Sequence, residues 1–410
     1  MVPLRRRAVY TALVNRRTFV ESSLAAFAAT GIPSLAQAPA REIHSSFDPW
    51  LEINAAHLRA NVQEVARLSG KRPILAVIKN NGYGLGVANA AAVLEPRPEI
   101  AGLAVVKLNE AVTLRDRGIK KPVLLMGPFD EANLREMVAR EIMPMVYTPI
   151  GDALEREAAR AGHAIPIHVC VDTGIGRVGI PHTQAAALIR DLAARKGVTL
   201  MGVMMTFTED PVFDQEQLRR FVALCDALSQ AGIRLGARHA ASTYTLFLHD
   251  NAWLDMSRVG MALYGIYPEA SFRTANRLAL RPVAALRARV AYIKQLPAGA
   301  SAGYERAYVA QRDTWIATLP VGHTDGWPRE AAKGARVRIN GRLFPVIASV
   351  SASHTLVEIG AEPLVQVGHV ATMWDWEDGS RPEDVAAACG ASVYDLAMHL
   401  NPLLPRRILE

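Results

Sequence analysis

The sequence predicts an α/β protein in which an N-terminal (β/α)8 barrel of the TIM type is followed by a mainly β C-terminal domain. Two observations carry this. Between Pro49 and about Tyr267, eight short apolar runs alternate with stretches of helical periodicity, the pattern of parallel strands covered on both faces. After about Leu280 the runs alternate apolar with polar residues instead, as strands with one solvated face do. A chain of 410 residues has room for two such domains. Its 50% hydrophobic and 21% charged residues exclude a disordered or fibrous class.

The eight runs are ILAVIK (74–79), AGLAVV (101–106), PVLLMG (122–127), MPMVYT (143–148), IPIHVCV (165–171), TLMGVMM (199–205), RLGARHA (234–240) and WLDMSRV (253–259). Between them HLRANVQEVARLSG (57–70), NEAVTLRDRG (109–118) and DQEQLRRFVALCDALSQAG (214–232) carry apolar residues three and four apart and end at Gly, which reads as helix. The barrel is therefore expected over 46–282 and the β-rich domain over 283–410. In the latter, ALRARVAYIKQL (285–296) and TWIATLPV (314–321) read as strands. ARVRINGRLFPVIASV (335–350) contains Asn340-Gly341, a two-residue hairpin signal. PEDVAAACGASVYDLAMHL (382–400) reads as one last helical stretch.

Residues 1–38 are set apart from the fold. Arg16-Arg17 precede a short, weakly apolar stretch and the small-residue site Ala36-Gln37-Ala38, the order of a twin-arginine export signal, so a periplasmic protein is expected. The signal contains Arg5, Arg6, Arg7, Arg16, Arg17 and Glu21, and its removal lowers the formal net charge from +7 to +3. The basic balance is thus partly a targeting feature. With no basic stripe interleaved with aromatics, a nucleic-acid partner is not expected, and no run of about 18 apolar residues suggests a membrane span. Cys170, Cys225 and Cys389 form no disulfide framework and no CxxC pair. The scattered histidines, His239 and His354 among them, lack metal-ligand spacing and read as structural, so no metal is expected.

Barrel enzymes place reactive groups at the C-terminal ends of their strands. Lys79 ends the first apolar run, Arg177 follows the fifth, Thr206 the sixth, Ser242 and Thr243 the seventh, and Arg258 lies near the end of the eighth. A lone strand-end lysine is equally a solvated charge. Here Gly82, Gly84 and Gly86 surround Tyr83 just beyond it and allow a ligand close to the backbone.

With AVIKNNGYGLG (76–86), VDTGIGRVGI (171–180), RHAAST (238–243), LDMSRVGMALYGIYP (254–268), AGYERAY (302–308), LPVGHTDGWPR (319–329) and NPLLPR (401–406) in this order, the sequence resembles the alanine racemase family and its broad-specificity amino-acid racemase relatives. These are fold-type III enzymes that use pyridoxal 5'-phosphate. The resemblance spans about Trp50 to Arg406. It implies that Lys79 holds the cofactor as a Schiff base and then serves as one proton-transfer base. It implies that Tyr304 is the opposite base, supplied by the other subunit of a homodimer, since racemisation must remove a proton from one face of Cα and return it to the other. Arg258 matches the arginine facing the pyridine nitrogen, whose permanent charge disfavours protonation there and favours simple proton exchange. Tyr83, Thr243, Gly260 and Met261 match phosphate-holding positions, and Arg177 matches the arginine that reaches the phenolic oxygen of the cofactor and the substrate carboxylate.

The departures from the family pattern bear on substrate. Cys170 stands where many relatives have a lysine that orients the arginine matching Arg177, and Thr206 where they have a histidine linking the base tyrosine to the pyridine arginine. Ala352 and Ser353 replace a Met-Asp pair at the substrate entrance, while His323 and Pro402 stand near entrance positions usually held by tyrosines. Most of these changes shrink side chains. The expectation is a racemase of free amino acids with broad specificity. The alternatives are a strict alanine racemase and a non-catalytic cofactor carrier.

Overall fold

A computed structural model describes residues 45–410; the expected export signal over 1–38 lies outside the described residues. Parallel strands Ile74–Val77, Ile100–Val105, Val123–Leu125, Ile142–Val146, Ile165–Asp172, Val198–Met204 and Ala237–His239 pair side by side in sequence order, with Ile180–Pro181 as a short branch on Ile165–Asp172. The strands are buried almost throughout, which is why their sequences run apolar without alternation.

The eighth run does not form a regular strand. It pairs through single contacts from Asp255 onward: the Asp255 amide donates to the Arg238 carbonyl at 3.1 Å, Ser257 bridges both Ile74 and Ala241, and the Val77 amide donates to the Val259 carbonyl at 2.8 Å. That suffices to close the barrel. The run turns at Leu254, φ 48°, and the Asp255 carboxylate accepts from the Arg238 guanidinium at 2.9 Å.

The β domain is a nine-stranded sheet, in the order Tyr292–Leu296, Thr314–Leu319, Thr355–Gly360, Arg342–Ile347, Arg336–Ile339, Val370–Trp374, Ala284–Arg289, Trp50–Asn54, Arg406–Leu409, with a separate two-stranded pair, Ser301–Ala302 and Tyr308–Val309. Trp50–Asn54, which falls inside the range expected for the barrel, belongs to this sheet. It runs antiparallel to Ala284–Arg289 and parallel to Arg406–Leu409, so the described residues pass through the sheet before they enter the barrel. The hairpin turn is as its residues require, with Asn340 at φ 50° and Gly341 at φ 76°. The last helical stretch is two helices, Pro382–Cys389 and Val393–Met398. Gly390 at φ 65° ends the first, and the Ser392 hydroxyl caps the second by accepting from the Tyr394 amide at 3.1 Å.

One continuous apolar core runs from Leu51 through the first barrel strands to Leu404 and fastens the sheet to the barrel. Cys225 and Cys389 are buried in the apolar cores. Among the described residues no helix is long and apolar enough to cross a membrane.

Candidate active site

The chain does something unusual just after Lys79. Asn80, Asn81, Gly82, Tyr83 and Gly84 all have positive φ, 54°, 57°, 61°, 53° and 83°, so the expected glycine loop is one turn of left-handed helix. Each non-glycine residue in that region costs roughly 1–2 kcal/mol, least for Asn, so the turn must be held from outside. The buried Glu110 does this. One carboxylate oxygen accepts from the Asn81 amide at 2.7 Å, and the other from the Lys107 and Val106 amides at 3.2 and 3.4 Å. The Asn81 side chain accepts in turn from the Val87 amide at 3.2 Å. Among the described residues the Lys79 ammonium has no ion pair or hydrogen bond, and its Nζ lies 5.9 Å from the centre of the Tyr394 ring.

The turn drives Tyr83 inward. Its ring stacks on Tyr264 at 4.5 Å and meets Tyr394 edge-on at 5.8 Å. Burial, reinforced by Tyr394, pushes the phenol well above its ordinary pKa, so it stays a neutral donor. The phenol oxygen ends against Gly260, where an added Cβ would come within 2.1 Å of it. Beside it the Thr243 hydroxyl accepts from the Ala262 amide at 3.2 Å, and Met261 opens a short 3-10 turn, Met261–Tyr264.

Arg258 lies across the barrel floor, buried and held by four acceptors. Nη1 is 3.0 Å from His239 Nδ1 and 3.2 Å from the His239 carbonyl, while Nη2 donates to the Met205 carbonyl at 2.8 Å and to the Thr206 hydroxyl at 3.3 Å. Burial lowers its pKa to about 10, which leaves it charged at neutral pH. His239, read from sequence as structural, is thus a direct partner of this arginine. Its own Nε2 lies 2.9 Å from His168 Nδ1. Burial first, then the Arg258 charge, pushes both imidazoles down, His168 to about 4.

Arg177 stands on the loop after Ile165–Asp172, which the Asp172 carboxylate shapes by accepting from the Gly174 and Gly176 amides at 2.8 and 3.2 Å. Behind it the Cys170 thiol is pushed by burial to about 11. The loop carrying Thr206 is braced by Asp214, whose Oδ1 accepts from the Thr208 and Glu209 amides at 3.2 and 3.1 Å. Glu209 is held at φ 69°, and burial followed by the Asp214 charge raises its pKa.

A cavity of about 540 Å³ joins these groups. Lys79, Tyr83, Arg177, Thr243, Arg258, Gly260 and Met261 all line it, together with Cys170, Thr206, Glu209 and Tyr394. Tyr304, Ala352 and Ser353 do not. They are exposed on the β domain, Tyr304 to 74%, and Gly303 packs the tyrosine turn against Ala348 on the loop that leads to Ala352. His323 and Pro402 line two separate clefts. Tyr394, Glu110, Glu209 and the His168–His239 pair carry no local signal of a site in the sequence.

The lining suits an anionic aldehyde. Three cations face one carboxylate, the lysine amine is free, and the niche at Gly260 admits no side chain. Lys79 would hold the aldehyde, Tyr83, Thr243 and the 260–261 backbone the phosphate, and Arg258 the ring nitrogen. This is the construction of barrel enzymes that carry pyridoxal 5'-phosphate at their strand ends. The alanine racemase N-terminal domain family matches residues 53–268, and the alanine racemase C-terminal domain family matches residues 283–408. The chain is 33% identical over 365 residues to an alanine racemase of Symbiobacterium thermophilum, covering 87% of this chain and 96% of the relative. It is 32% identical over 374 residues to one of Desulfovibrio desulfuricans, covering 89% and 100%. The crystal structure of alanine racemase from D-cycloserine-producing Streptomyces lavendulae superposes with a TM-score of 0.83 at 27% identity, covering 90% of this chain and 98% of that one. Alanine racemase of Clostridium difficile 630 gives 0.82 at 26%, covering 90% and 97%. The chain belongs to the alanine racemase family and is a pyridoxal-phosphate-dependent amino-acid racemase.

Proposed function

We propose that the protein is a periplasmic amino-acid racemase of broad specificity, working as a homodimer in which Lys79 and Tyr304 of the partner subunit are the two bases. The observation that carries this reading is the position of Tyr304, 74% exposed and outside the cavity of its own chain, as are the exposed Ala352 and Ser353. An exposed tyrosine on one domain and a cavity built around a lysine on the other are complementary halves of a shared site. Within the cavity, Cys170 and Tyr83 are both pushed upward by burial, which makes them poor proton acceptors.

When bound, pyridoxal phosphate supplies an electron sink that acidifies the Cα–H of the amino acid. Lys79 Nζ moves the proton on one face of Cα, and the Tyr304 hydroxyl of the partner subunit moves it on the other. Arg177 receives the α-carboxylate. Arg258, charged and donor-only, keeps the proton off the ring nitrogen and limits side reactions. In the same dimer Ala352 and Ser353 of the partner subunit border the entrance with small side chains, so substrates longer than alanine have room. Arg16-Arg17 and Ala36-Gln37-Ala38 support export of the folded, loaded protein.

The second reading, a strict alanine racemase, is favoured by the names of the relatives. The pure protein incubated with each L-amino acid, followed by chiral chromatography, separates the two. D-isomers of several large amino acids at rates comparable to alanine support breadth. D-alanine alone selects the strict enzyme, and no D-isomer at all overturns the catalytic reading. Cell fractionation with N-terminal sequencing tests export; a cytoplasmic protein retaining residues 1–38 contradicts it.

A further inference from the structure

We infer that His168, which does not line the cavity, is a positioning residue that locks the tautomer of His239 and thereby the seat of Arg258. The inference concerns a residue outside the reacting groups, and it rests on the reading of Arg258 given above.

The proton positions follow from the donors. A guanidinium has only N–H groups to offer, so His239 Nδ1, 3.0 Å from Arg258 Nη1, must present a lone pair. A neutral His239 then carries its proton on Nε2. That N–H points at His168 Nδ1, 2.9 Å away, which must also be a lone pair, so His168 carries its proton on Nε2. The chain of contacts admits one arrangement. Protonating His239, or moving its proton to Nδ1, sets an N–H against an N–H of Arg258. Burial of both rings beside a permanent cation opposes the charged forms in the same sense.

The barrel is built to let the rings meet. His168 and His239 stand on strands Ile165–Asp172 and Ala237–His239, which are separated by Val198–Met204. On that middle strand Gly202 is the residue in register with both His168 and Ala237. An added Cβ at Gly202 would fall 2.6 Å from His168 Nδ1, so any side chain there would block the contact. The rings cross edge to face at 5.1 Å, which fixes their orientation. Without the acceptor on His168, the Nε2 proton of His239 has no partner on that side. Its tautomer is then free to change, and Arg258 loses one of its four acceptors.

The test is made on the full chain labelled with 15N-histidine. Long-range proton–nitrogen spectra should show His239 with a protonated Nε2 and a lone pair on Nδ1, the same for His168, and a coupling across the hydrogen bond between His239 Nε2 and His168 Nδ1. His168→Leu should abolish the single-tautomer pattern of His239 and weaken cofactor retention on dialysis roughly tenfold, the scale of one hydrogen bond to a charged group. His168→Asn should restore both, because the Asn amide oxygen, like Nδ1, is bonded to Cγ and offers an acceptor from the same place. A merely space-filling histidine would show the opposite preference, tolerating the leucine better than the amide. A His239 protonated on Nδ1 in the wild type, an absent coupling, or an unchanged His239 pattern in His168→Leu would each overturn the inference. Should the leucine variant not fold, the wild-type tautomers and coupling still decide it.

Discussion

The phenol oxygen of Tyr83 occupies the place where a side chain on residue 260 would begin, 2.1 Å from the ideal Cβ position at Gly260. Tyr83 cannot retreat, because its ring is stacked on Tyr264 and flanked by Tyr394. Gly260→Ala is therefore expected to displace either the tyrosine or the 260–261 backbone. Overpacking of this kind costs about 1–3 kcal/mol. The visible band of bound cofactor should fall at least tenfold in titrations, with a lowered melting temperature. A variant that binds cofactor as the wild type does would show that this niche is not the phosphate seat.

Glu110 is expected to hold the left-handed turn that presents Lys79. Glu110→Ala leaves the Asn81 amide, and the two at the start of Leu108–Asp116, without their carboxylate. Stability should fall by about 2–3 kcal/mol, and hydrogen exchange at residues 80–84 should quicken more than in the barrel strands. Glu110→Gln, which keeps an acceptor oxygen, should lose less. Equal exchange in the turn and the strands would mean that Glu110 only caps its own helix.

These two contacts mark where the sequence stops being legible. The barrel strands could be read because burial on both faces makes them continuously apolar, and Lys79 and Thr243 because each follows a strand. The eighth run misled because it turns at Leu254 and then pairs through isolated bridges rather than a ladder, and no local pattern encodes that. Trp50–Asn54 joins the β sheet because its partners, Ala284–Arg289 and Arg406–Leu409, arrive hundreds of residues later. Glu110 looks like an ordinary helix-start carboxylate until the fold brings Asn81 to it. His239 looks structural until the strand register aligns it with His168 and Arg258.

Acid should weaken the fold through His168. Burial keeps its folded pKa at about 4 against an ordinary 6.5. Below pH 6.5 the unfolded chain therefore takes up a proton that the folded chain refuses. Stability is full above pH 6.5, falls as pH drops, and levels off below about 4, a loss of roughly 3 kcal/mol from this group. Urea unfolding at pH 7 and pH 4.5 should show a smaller difference for His168→Asn than for the wild type. An identical difference would mean that His168 is not buried neutral.

The proposed breadth of specificity should depend on Ala352 and Ser353 of the partner subunit. A longer substrate gains about 0.8 kcal/mol for each CH2 it buries, so the room left by Ala352 and Ser353 should favour larger amino acids. Ala352→Met is expected to shift the kcat/KM ratio toward alanine by about tenfold or more, as loss of a few such contacts would. An unchanged ratio would place the specificity elsewhere, Glu209 and Tyr394 being the cavity residues to examine next.

The proposed shared site is tested most directly by subunit complementation. Lys79→Ala and Tyr304→Phe should each abolish racemisation alone. In a mixed dimer of the two, one site carries both substitutions and the other carries neither. After equal mixing and subunit exchange, about a quarter of wild-type activity should return, from the one intact site in each of the half of dimers that are mixed. Recovery near that level establishes that Lys79 of one chain works with Tyr304 of the other. No recovery despite confirmed exchange, or near wild-type turnover by Tyr304→Phe alone, would contradict it.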